Sequence, residues 1–120
     1  MKKKYLVLLL FVLSGLIEVP RWLAQTQESP RRIEVTAKRF AFEPSEITVK
    51  KGQPVVLVIK SEDVSHGLRF RELNLNVKVD KGSPAELPFT PDQIGDFVGH
   101  CSVFCGSGHG QMTLTMHVVN

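Results

Sequence analysis

After Gln25 no stretch of this 120-residue chain sustains a helical period. Apolar side chains instead recur every second residue, in short runs cut by Pro and Gly. Ile33–Arg39 alternates, Ile47-Thr-Val49 repeats the pattern, and Leu73, Leu75, Val77 and Val79 share one face of a further run. Val55-Val-Leu-Val-Ile59 is a continuous β-branched run, consistent with a buried central strand. Lys51-Gly-Gln-Pro54 and Lys81-Gly-Ser-Pro84 read as turns, and Ala85–Thr90, Asp96–Cys101 and Met112–Val119 complete the set. Seven or eight short strands at this spacing predict an all-β antiparallel sandwich in one domain. A hydrophobic content of 42% supplies a real though small core.

The N-terminus has a different composition. Lys2-Lys3-Lys4 precedes an apolar run from Tyr5 to Ile17, which Glu18 and Pro20 end. That run is shorter than the roughly 17–25 residues of a spanning helix, so residues 1–24 are expected to be a cleaved export signal. The Trp22-Leu-Ala24 sequence is a poor cleavage site, and an uncleaved membrane anchor is the alternative. Both readings place the domain outside the cytoplasm, at the periplasmic or other extracytoplasmic face. Gln25–Arg32 is polar and reads as a linker, leaving 33–120 as the folded domain. From Gln25 onward eleven Lys and Arg stand against eleven Asp and Glu, so the formal charge of +3 belongs to the N-terminal segment. Nucleic-acid binding, which needs a clustered basic excess, is not expected.

The chemistry concentrates in Cys101-Ser-Val-Phe-Cys105-Gly-Ser-Gly-His109-Gly-Gln-Met112. Thiolate and thioether are soft ligands, and imidazole suits copper or zinc. Zinc sites use Cys, His and carboxylate, so Met112 tilts the loop toward copper. A blue-copper site takes one Cys, two His and a weak axial Met; the second Cys is surplus to it, and two thiolates can instead bridge two coppers. A plain disulfide is the competing reading in an oxidising compartment. Its ring would enclose three residues, add little loop-closure stabilisation and leave His109 and Met112 unexplained. Gly106, Gly108 and Gly110 flank His109 and let the loop wrap tightly.

This loop resembles the CuA centre of cytochrome c oxidase subunit II. The resemblance continues through Asp63-Val-Ser-His66-Gly, Asn74–Gly82, Phe89-Thr-Pro91 and Gly95-Asp-Phe97, covering roughly residues 33 to 119, and is nearest to subunits II with a single membrane anchor. It implies a cupredoxin-like Greek-key β-sandwich holding two copper ions. Cys101 and Cys105 would bridge them, His66 and His109 would each cap one, and Met112 and the Val103 backbone carbonyl would give weaker contacts. The family's entry route for electrons uses an aromatic cluster with a Trp. Here the single Trp is Trp22, outside the domain, and Phe40 and Phe42 stand in that region. Core packing is expected for at least one of them.

Two further histidines are read as decoys. His100 precedes Cys101 on a strand and should face the other way. His117 shares a face with Thr113 and Thr115, opposite to Met112, Leu114, Met116 and Val118. No general-acid carboxylate pair or nucleophile–base pair stands out, so the chain is expected to transfer electrons and break no substrate bond itself. Its donor would be a redox protein such as a c-type cytochrome, and its acceptor a haem–copper catalytic subunit. The alternative is a free exported carrier or a copper-delivery protein.

Overall fold

The structure is a computed structural model that describes residues 28–120. The expected export signal or anchor, 1–24, and the start of the linker lie outside the described residues. Nine strands follow: β1 Arg31–Lys38, β2 Ala41–Glu43, β3 Glu46–Lys50, β4 Val55–Ser61, β5 His66–Phe70, β6 Leu75–Val79, β7 Ala85–Phe89, β8 Gly95–His100 and β9 Thr113–Val119. They form two sheets, ordered β2-β1-β4-β7 and β3-β9-β8-β5-β6.

The continuous apolar run becomes β4, flanked on both sides by β1 and β7, with Val55, Val56, Leu57 and Ile59 buried. Alternation does the same work elsewhere with one buried face. Val35 and Ala37 of β1 meet Leu68 and Phe70 of β5 and Leu114, Met116 and Val118 of β9 in a single core. Truncating a fully buried member such as Leu57 to Ala costs about 2–5 kcal/mol in cores of this kind.

The sandwich is not purely antiparallel. β1 runs parallel to β4, and β3 parallel to β9. Parallel neighbours need a crossover. Here β2 returns along β1, β3 crosses to the second sheet, and the chain comes back as β4 on the free side of β1. Period-2 patterning specifies which face is buried and carries nothing about strand direction. The start of one strand differs by two residues. The strand expected from Leu73 starts at Leu75, because Arg71–Leu73 makes a 3₁₀ turn closed by Asn74 at φ 53°, a left-handed conformation that Asn tolerates. The three-residue β2 is too short to show a period.

Candidate metal centre

Three chain segments meet at one pole of the sandwich. β5 begins there with His66, β8 ends there and releases the cysteine loop, and β9 starts just after Met112. The Cys101 N–H donates to the Met112 carbonyl at 3.0 Å, which pins the two ends of the loop together. The Ser102 N–H donates to the Gly67 carbonyl at 3.2 Å. Glycine at 67 lets the loop cross this closely: a Cβ there would stand 2.1 Å from the rotatable Ser102 Oγ and 3.2 Å from Val103 N.

All six residues expected to be ligands come together. The two thiols, both buried and unlinked, have Sγ atoms 3.8 Å apart. His66 Nδ1 is 3.9 Å from Cys101 Sγ, and His109 Nδ1 is 3.8 Å from Cys105 Sγ. The Val103 carbonyl lies 3.2 Å from Cys101 Sγ and Met112 Sδ lies 3.9 Å from Cys105 Sγ. Each thiol therefore has its own imidazole and its own weak donor. The ligand atoms of His66, Cys101 and Cys105 all fall within 4.8 Å of one another. Sulfurs and ring nitrogens that each bond a metal at about 2–2.3 Å take up such separations around shared ions, so the donor set fits soft metal ions.

Electrostatics act on the site in two directions. Burial pushes the Cys105 thiol well above its ordinary value, and the neighbouring Cys101 thiol adds to this. A metal must therefore displace protons to bind. His66 is fully buried, and its Nε2 is 2.7 Å from Asp63 Oδ1. With Nε2–H donating to that carboxylate, Nδ1 keeps its lone pair for a metal, the arrangement that fixes tautomer and ring orientation in metal-ligating histidines. Burial works against the Asp63 charge, but the Arg39 N–H, the His66 ring and the Val64 N–H outweigh it and hold the carboxyl down at about 2.

His100 is exposed and faces outward beside Arg69, its register partner, in a cleft of about 550 Å³ on the outer face of the second sheet. His117 sits on the outer face of β9 between Asp96 and Glu46. Met116 is core. Phe42 is core and Phe40 is not: its ring covers Gly106 and Gly108 of the cysteine loop. Asp63 and Arg39 carry site contacts that residue type did not announce. The signal for Asp63 was an acid three residues before the candidate histidine; Arg39 had none.

Comparison with known proteins supports a family assignment. A family model described as a cupredoxin-like domain matches residues 5–114. Cytochrome c oxidase subunit 2 of Thermus thermophilus is 32% identical over 96 residues, covering 80% of this chain and 71% of the relative. The chain spans only 57% of a second such protein from a named strain of that organism. Nitrous-oxide reductase of Cupriavidus necator is 32% identical over 90 residues, 72% of this chain and 14% of that enzyme. Among solved structures, the periplasmic domain of subunit II of cytochrome oxidase of Bradyrhizobium japonicum shares the fold with a TM-score of 0.70 at 18% identity, covering 78% of this chain and 86% of that one. A chain of a haem–copper terminal oxidase dimer gives a TM-score of 0.67 at 26% identity, over 79% and 73%.

Proposed function

The chain belongs to the cupredoxin-like family, and within it to the cytochrome c oxidase subunit II group; from that premise we propose that it holds two copper ions and transfers single electrons. The observation that carries this reading is the pairing of each buried thiol with its own imidazole, at 3.9 and 3.8 Å. One blue-copper ion uses one thiolate, two imidazoles and a weak axial thioether, and the second buried thiol would then have no role. When bound, copper supplies a one-electron couple that no side chain here provides. The chain's part is to hold six donors still. His66 is locked by Asp63, Cys101 and Met112 are tied to each other through their backbones, and His109 is fixed in a short 3₁₀ turn by its N–H on the Gly106 carbonyl at 3.2 Å. Donors fixed in this way move little between oxidation states, which keeps the rearrangement cost of electron transfer low.

Electrons would enter by the loop. Phe104 is 78% exposed, and its ring centroid lies 5.6 Å from that of His109. This apolar tip is where a donor such as a c-type cytochrome would dock, with a haem–copper catalytic subunit as acceptor and the domain outside the cytoplasm. The test is metal content. The copper-loaded chain should hold two coppers and show a purple mixed-valence band, and Cys105→Ser should abolish that band. A stoichiometry of one, with a blue type 1 spectrum, would remove the dicopper reading while leaving a mononuclear carrier.

A further inference from the structure

We propose that Arg39 is a positioning residue that joins the two halves of the metal centre and raises its reduction potential; the potential rests on the two-copper reading above, the positioning does not. Arg39 lies in the turn between β1 and β2, remote in sequence from every candidate ligand. Its backbone N–H donates to Asp63 Oδ2 at 2.7 Å, and the other oxygen of that carboxylate holds His66 at 2.7 Å. Its side-chain Nε donates to the Cys105 carbonyl at 2.8 Å. One residue thus closes a chain of hydrogen bonds from the His66 ring, through Asp63, to the backbone of Cys105.

The neighbouring ring makes the same connection by packing. A Cβ on Gly106 or Gly108 would stand 2.9 or 2.5 Å from Phe40 ring carbons. Gly106 is at φ 139°, so the loop bends under that ring in a conformation side chains rarely adopt. The Arg39–Phe40 turn is therefore seated on the segment that carries Cys105 and His109. Arg39 also lines a cleft of about 330 Å³ with Val64, Phe104 and Cys105, and with its Nε on the Cys105 carbonyl an exposed positive charge stands beside the centre. Adding an electron to a site beside a cation is favoured by Coulomb attraction, reduced here by solvent because Arg39 is exposed. The hydrogen bond to the Cys105 carbonyl acts in the same direction, by drawing electron density from the loop.

Three substitutions in the full chain separate charge from hydrogen bond. Arg39→Lys keeps the charge and loses the planar Nε donor, Arg39→Gln keeps a donor and loses the charge, and Arg39→Met loses both. In the copper-loaded chain, Gln and Met should shift the one-electron reduction equilibrium toward the oxidised form by about three- to tenfold, the latter being about 59 mV, whereas Lys should stay near wild type. In the copper-free chain, amide exchange over Gly106–Gln111 should speed up by about tenfold in Met and Lys, the worth of one hydrogen bond, and less in Gln. Potentials that do not differ between Lys and Met would overturn the charge role. Exchange unchanged in Met would overturn the positioning role. A wild-type chain with one copper would defeat the proposed function, and the copper-free exchange would still decide on the positioning role.

Discussion

His66 has its two ring nitrogens engaged in opposite directions, Nε2 with Asp63 and Nδ1 toward Cys101. Removing the carboxylate would leave a buried N–H without a partner, at a cost of about 1–3 kcal/mol. Asp63→Ala should lower copper affinity about 10–100-fold, as loss of such partners does elsewhere, with a matching fall in thermal stability; titration against a copper chelator reads the first and calorimetry the second. An affinity unchanged in Asp63→Ala would mean that His66 needs no orienting partner. His66→Ala and His109→Ala should destroy the metal spectrum, and His100→Ala and His117→Ala should leave it intact, because both decoys sit on outward faces. At this scale the cluster of donor side chains was legible, since Cys101, Cys105, His109 and Met112 fall within twelve residues and His66 stands in the Asp63-Val-Ser-His66 run. Asp63 was marked only by its place three residues before His66, and Arg39 was not legible, because its contacts join positions 24 and 66 residues apart that only the fold brings together.

Between elements, the site depends on how closely the cysteine loop crosses β5. Gly67→Ala would place a methyl 2.1 Å from Ser102 Oγ and 3.1 Å from a Val103 side-chain carbon. The serine can rotate away, but the Val103 backbone nitrogen at 3.2 Å cannot. The loop should lift, with an overpacking cost of about 1–3 kcal/mol and weakened copper binding; wild-type affinity in this variant would show that the crossing is loose. On the second sheet, His117 of β9 bonds Asp96 of β8 at 2.6 Å and faces Glu46 of β3 at 3.7 Å. The Asp96 hydrogen bond, with both carboxylate charges behind it, raises the His117 pKa above 6.5 against the effect of desolvation. A raised folded value means this stabilisation is fully present below about pH 6.5 and is lost as pH climbs through the folded pKa. Melting temperature should thus decline slightly across that window in the wild type and not in His117→Gln; the exposure of all three groups keeps the effect small. The strands themselves were readable from alternation and turn residues. Their mixed directions were not, because a pattern that marks inside from outside is the same for a strand read either way.

For the whole molecule, charge and shape govern encounters. Acidic and basic residues balance from Gln25 onward, and the most exposed large apolar side chain among the described residues, Phe104, caps the metal loop. Docking through such a tip should be steered weakly. The bimolecular rate with a soluble cytochrome should change little as salt rises through 0.1 M, where screening acts over about 10 Å. A steep fall with salt, removed by neutralising surface carboxylates, would restore charge-guided docking. The proposed electron-transfer role rests on two copper ions held between Cys101 and Cys105. Electron paramagnetic resonance of the oxidised copper-loaded chain, prepared with a single copper isotope, tests that most directly. The account predicts hyperfine splitting from one unpaired electron spread over two copper nuclei; splitting from a single copper nucleus would contradict it.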